Sequence, residues 1–138
     1  MGGREVKVTV DTNILARAVL QDDPIQAAAA AKILREASLI AIPLPVLCEF
    51  VWILRRGAKL PKEDVALAIS GLLEAGNVVM NRPAVEAGLT VLLAGGDFAD
   101  GVIAHEGAWL GGEVFVSFDR QAIDLVSALG MDALQPSS

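Results

Sequence analysis

The stretch that most constrains this chain is Val6-Lys7-Val8-Thr9-Val10-Asp11-Thr12-Asn13. Three valines alternate with Lys7 and Thr9, the period of a β-strand with one buried face, and the alternation stops at an acid. No apolar residue follows until Ile14. A strand that ends this way delivers Asp11 to its own carboxyl end. In open α/β sheets, ligands bind in the crevice outside the carboxyl ends of the strands, so Asp11 is a functional candidate ahead of every other residue.

The rest of the chain repeats the pattern of a short strand followed by helix. Thr12 or Asn13 is placed to cap a first helix running to about Leu20, and Gln21-Asp22-Asp23-Pro24 closes it as a polar turn. A second helix is predicted over Ile25 to Ala37, where an alanine run gives propensity. Leu39 to Ile42 reads as a buried strand stopped by Pro43, and Pro45 fits the first turn of a third helix, Val46 to Arg56, with Gly57 placed to end it. Pro61 opens a fourth helix whose apolar residues recur too densely to leave a wide polar face, so it is expected to be mostly buried. Asn77 to Met80 is a strand, Pro83 to Ala94 a fifth helix, and Gly95-Gly96 breaks it before a sixth that starts at Asp97 and runs to about Leu110. Val114 to Ser117 is a strand and Gln121 to Leu129 a seventh helix, followed by a short polar tail from about 134. Alternation of this kind predicts an α/β fold, with a central, mainly parallel sheet of four or five short strands covered by helices on both faces. With no linker, repeat or low-complexity segment, 1–138 is expected to be a single domain, long enough to bury about two thirds of its extended surface.

Composition narrows the class. Apolar residues make up 54% of the chain and mean hydropathy is +0.53, more than one modest core needs; a dimer or a stable partner would absorb the surplus. The longest apolar runs are too short to span a bilayer, and the N-terminus, with Glu5 and no apolar core, is not expected to be a signal peptide. The single cysteine, Cys48, suits a reducing cytoplasm. A net charge of −6 argues against holding nucleic acid by bulk charge, though not against holding it through metal ions.

Carboxylates recur at element boundaries: Asp11 after the first strand, Asp97 and Asp100 at the start of the sixth helix, Asp119 after the strand Val114–Ser117. Glu49 differs, lying inside the third helix between Cys48 and Phe50. Helix capping accounts for Asp97 with Asp100, and for Asp119, without any metal; Glu49 has the plain alternative of a satisfied helix acid. Asp11 has the weakest such alternative, because Thr12 or Asn13 already supplies a cap. If the first strand neighbours Val114–Ser117, Asp11 and Asp119 emerge side by side, and the third and sixth helices could carry Glu49 and Asp100 to the same cleft. Carboxylates about 7 Å apart repel by about 2 kcal/mol per pair at an effective dielectric near 20. Such a cluster takes up protons or binds a hard cation, and ligands that are all oxygen select Mg²⁺ or Mn²⁺. A divalent ion so held activates water and neutralises a phosphodiester, which is hydrolase chemistry.

Val-Asp-Thr-Asn at the start, Pro45-x-x-x-Glu49, Gly-Asp-Phe-Ala-Asp-Gly-Val-Ile-Ala-His and Ser-Phe-Asp-Arg, in this order, resemble the PIN-domain ribonucleases, specifically the VapC-type toxins of bacterial toxin–antitoxin pairs. The likeness runs from Val6 to about Leu129. It implies a three-layer α/β/α PIN-like domain and an acidic quartet on Asp11, Glu49, Asp100 and Asp119, with Asp97 an additional metal-binding acid. It also implies Mg²⁺- or Mn²⁺-dependent endonucleolytic cleavage of RNA, and a homodimer neutralised by a cognate antitoxin protein. The chain departs from the usual wording at Gly101 and His105, where alanine or leucine is common; neither is a proposed ligand.

Asn13 and Ser117 are candidates for holding water or the acids themselves, with a helix cap and a strand-end hydrogen bond as the plain alternatives. His105 lies about 140° around a helix from Asp100 and is read as structural. Arg56, nearly on the helical stripe of Glu49, is a possible RNA-phosphate contact; Arg55 and Lys59 read as a solvated face. Trp52 and Trp109 are expected in the core or at a dimer interface. The rivals are a housekeeping RNA-processing nuclease of the same fold, a phosphotransfer domain, and a catalytically idle binding module. Val-Asp-Thr-Asn lacks the second acid that phosphatases of the haloacid dehalogenase type carry two residues after the first.

Overall fold

The computed structural model describes residues 6–137; residues 1–5, the stretch that bears on a leader peptide, and Ser138 lie outside the described residues. The described residues fall into two compact units, 6–80 and 81–137.

In the first unit β1 (Lys7–Thr9) leads into α1 (Thr12–Leu20) and α2 (Pro24–Glu36). Then come β2 (Leu39–Ala41), α3 (Leu44–Trp52), α4 (Lys62–Glu74) and β3 (Val78–Val79). The three strands form a parallel sheet in the order β1-β2-β3, with Val8 opposite Ile40 and Ile40 opposite Val78. Leu15, Ile40, Leu47, Phe50, Leu54, Val65 and Ile69 are fully buried. Each contributes roughly 1.5–3 kcal/mol relative to exposure. Asn77 Nδ2 donates to the carbonyls of Leu34 (3.1 Å) and Ala37 (3.0 Å), satisfying acceptors that the end of α2 leaves open.

The second unit holds α5 (Arg82–Leu93), α6 (Phe98–Trp109), β4 (Val114–Val116), α7 (Arg120–Ala128) and β5 (Asp132–Leu134). β4 and β5 pair in parallel, Phe115 opposite Ala133, joined through α7. The main helix contact is α5 on α6. It is so close because of two glycines: a Cβ on Gly88 would stand 2.7 Å from the Phe98 ring, and one on Gly101 would overlap the Ala87 carbonyl.

The α/β class and the parallel pairing are as the sequence predicts, and several local expectations are corrected. Asp11, not Thr12 or Asn13, caps α1. Gly57 does not end a regular helix: Ile53–Gly57 winds as a π turn closed by Ala58 N–H to the Ile53 carbonyl at 2.9 Å. Asp132–Leu134, to which the sequence assigns no element, forms β5 just ahead of the polar tail. Among the described residues the strand pairings each lie within one unit, β1-β2-β3 in the first and β4-β5 in the second, so the pairing supposed between the first strand and Val114–Ser117 is not among them. On α4, Leu67 is 70% exposed, so that helix is less buried than its composition suggests, and Trp52 and Trp109 are 63% and 81% exposed, which removes both from the core. Among the described residues no helix is long and apolar enough to cross a membrane.

Candidate active site

In the first unit the expected acids stand at the start of α1 and within α3. Asp11 leaves β1 in extended conformation and caps α1, its Oδ1 accepting from Ile14 N–H at 3.2 Å. The next residue, Thr12, is buried, and its Oγ1 donates to Glu49 Oε2 at 3.3 Å. Glu49 is thereby tied to the residue after Asp11. Its flanking residues suggest an unusually buried acid; the side chain is exposed instead, and the bond from Thr12 is what places it. Asn13 is exposed on α1, and Arg56 is exposed within the π turn, which interrupts the regular helical spacing that links it to Glu49 in sequence.

In the second unit three acids gather around the start of α6 and of α7. Asp97 caps α6, its Oδ1 accepting from Ala99 N–H at 3.1 Å, and Asp100 sits in the first turn. Asp119 caps α7, its Oδ1 accepting from Gln121 and Ala122 N–H at 3.0 and 3.2 Å. Ser117 Oγ accepts from the backbone N–H of Asp119 at 3.0 Å, so the plain strand-end hydrogen bond is realised and it fixes the loop carrying the acid. Gln121 Nε2 adds a bond to the Gly95 carbonyl, tying the start of α7 to the turn before α6. The Asp100 carboxyl titrates above the ordinary carboxylate value, first because burial disfavours its charged form and then because Asp97 and Asp119 repel it.

Capping and ligation do not compete here. Asp11, Asp97 and Asp119 each give Oδ1 to a helix start, and Oδ2 of each makes no hydrogen bond to the described residues; Glu49 Oε1 and the Asp100 carboxyl are likewise without one. Each candidate acid therefore keeps an oxygen for a ligand. Asp23, which caps α2 in the same manner, shows that this pattern alone does not mark a site. Among the described residues no three acidic, histidine or cysteine side chains already form a metal cage. Within the second unit Asp97, Asp100 and Asp119 offer only carboxylate oxygens, the donor type a hard divalent cation takes, and Asp100 is short of compensating positive charge.

The residue that sequence reasoning misses is Thr12, which reads there as a cap. The only signal available is a hydroxyl one residue beyond the key acid.

A parallel α/β chain with acids at the carboxyl ends of β1 and β4 falls among folds that bind ligands at strand ends. The model of the PIN domain matches residues 8–127, and the chain belongs to the PIN domain family, whose members are in general nucleases. Comparison with individual curated proteins gave no match.

Proposed function

We propose that this protein is a divalent-metal-dependent endoribonuclease of one PIN-like domain, acting in the cytoplasm as the VapC-type toxin of a type II toxin–antitoxin pair. The observation that carries the reading is the state of Asp100, an acid in the first turn of α6 whose ionised form is disfavoured by burial and by Asp97 and Asp119. Carboxylates perturbed in this way cluster at functional sites, and a bound cation would offset the crowded charge. Asp11, Glu49, Asp97, Asp100 and Asp119 are the residues that would hold Mg²⁺ or Mn²⁺. Bound there, the ion would supply charge neutralisation at the phosphodiester and a more acidic water. The chain's own part is to keep the acids in position: the Thr12 hydroxyl holds Glu49, Ser117 holds the backbone of Asp119, and the helix starts orient Asp11, Asp97 and Asp119. Hydrolysis proceeds by in-line attack of water on phosphorus, with no covalent intermediate on the protein. Arg56 is the proposed phosphate contact, and exposed Trp52, Leu67 and Trp109 offer apolar surface for a homodimer or for the antitoxin.

The test is to sequence RNA ends after induction of the wild type and of Asp11→Asn, with and without co-expression of any small protein encoded beside the gene. New ends that require Asp11 and disappear on co-expression are expected. Equal cleavage by Asp11→Asn overturns the catalytic assignment, and cleavage that no neighbour suppresses favours an RNA-processing nuclease instead.

A further inference from the structure

We infer that the cleft between α1 and α2 receives a nucleobase of the RNA strand next to the phosphate being cut, an inference that rests on the nuclease reading above. The cleft has a volume of about 410 Å³ and is lined by Asp11 itself, so whatever occupies it lies beside a proposed catalytic acid. That volume falls within the roughly 300–1,000 Å³ of small-ligand sites.

The lining selects the chemistry. Ile14 and Ile33 offer apolar surface to the face of a flat ring, while the Asn13 and Gln26 amides each offer a donor and an acceptor to its edge. Neutral amides of this kind read the donor and acceptor pattern of a base, and unstacked bases of single-stranded RNA are what proteins recognise in this way. Arg17 also lines the cleft. A phosphate is a poor occupant. Arg17 Nη1 already binds both oxygens of Asp22 at 2.9 and 2.8 Å, which holds the Asp22 carboxyl below its ordinary value, and the other charge on the lining is the anionic Asp11. A neutral heterocycle meets no such repulsion.

The experiment titrates the isotope-labelled, metal-free full chain with each common nucleoside 5′-monophosphate, and with ribose 5-phosphate as the probe that lacks a base. NMR shifts at Asn13, Ile14, Gln26 and Ala29 are expected with at least one nucleotide and not with ribose 5-phosphate. Binding should weaken about tenfold in Gln26→Ala, the scale of one lost hydrogen bond to a base. It should be abolished in Ala29→Phe, which fills the cleft from an exposed position on α2. Retained melting temperatures in both variants show that the fold is intact. Shifts that ribose 5-phosphate reproduces, binding unchanged in both variants, or no nucleotide shifts at all would each overturn the inference. A separate cleavage assay keeps the two readings apart: nucleotide binding at the cleft in a protein that cuts no RNA removes the proposed function and leaves the binding site.

Discussion

Thr12 Oγ1 donates to Glu49 Oε2 across 3.3 Å and so joins the first residue of α1 to α3. Thr12→Val keeps the β-branched shape and removes the donor. A hydrogen bond to a charged group contributes about 1.5–3 kcal/mol when shielded and less when its acceptor is exposed, so a loss of about 1 kcal/mol is expected in urea unfolding. Cleavage should fall as well, because Glu49 is no longer held. An unchanged unfolding midpoint together with full activity would show that the bond is incidental.

The acids that cap helices require substitutions that separate the two roles. Asn is as good an N-cap as Asp, whereas Ala costs about 1 kcal/mol at such a position. Asp11→Asn and Asp119→Asn should therefore lose cleavage and keep their unfolding midpoints within a few tenths of a kcal/mol, while Asp11→Ala and Asp119→Ala lose both. If the Asn variants destabilise as much as the Ala variants, charge at the helix starts matters to the fold itself.

Asp100 sets a pH dependence with a definite sign. Its folded-state pKa is raised above the ordinary 3.8 by burial and then by Asp97 and Asp119. Between 3.8 and the raised value the folded state binds more protons than the unfolded one, so this group's contribution to stability falls as pH rises through that window. Below it both states are protonated and the penalty is absent; above it the penalty is complete. In EDTA, Asp100→Asn should melt above the wild type at neutral pH, and the gap should close as pH falls below about 3.8. Mg²⁺ should raise the wild-type Tm and act less on the variant. A gap that is constant with pH would place its origin in packing rather than charge.

Two glycines of α6 should respond oppositely to the same substitution. In a helix interior Gly→Ala gains about 0.8–1 kcal/mol from propensity. At Gly107 the added Cβ meets nothing within 4 Å, so Gly107→Ala is expected to stabilise by about that amount. At Gly101 it overlaps the Ala87 carbonyl and lies 2.8 Å from Gly88 Cα, backbone that cannot turn aside. Overpacking of this kind costs about 1–3 kcal/mol and outweighs the gain, so Gly101→Ala is expected to destabilise. Thermal unfolding of the two variants side by side tests the sign of each.

The sequence is most legible where one local rule acts alone. Alternating valines mark β1, prolines mark the starts of α3 and α4, and Asp97 and Asp119 mark the starts of α6 and α7. It is least legible where two roles fall on one residue. Sequence sets Asp11 apart from capping because Thr12 or Asn13 is expected to do it; in the fold Asp11 is the cap and Thr12 serves Glu49. β5 has no β-branched residue and exists because β4 offers it a parallel partner, which is tertiary pairing rather than propensity. The π turn at Ile53–Gly57 is hidden because its residues suit a regular helix, and Gly57 looks like a sufficient stop. Gly101, a departure from the usual family wording that carries no weight in sequence, is accounted for by the approach of α6 to the backbone of Ala87.

That approach has a bearing on how tightly the second unit can grip anything. Where Gly88 and Gly101 bring α5 and α6 together there is no intervening side-chain layer on which one helix could slide past the other, so the first turn of α6 is anchored to its neighbour along the main chain. Asp97 and Asp100 ride on that anchored turn. An incoming ion or phosphate would spend little of its binding energy in arresting motion there, and affinity would be governed by charge and fit rather than by the entropy of ordering a loop.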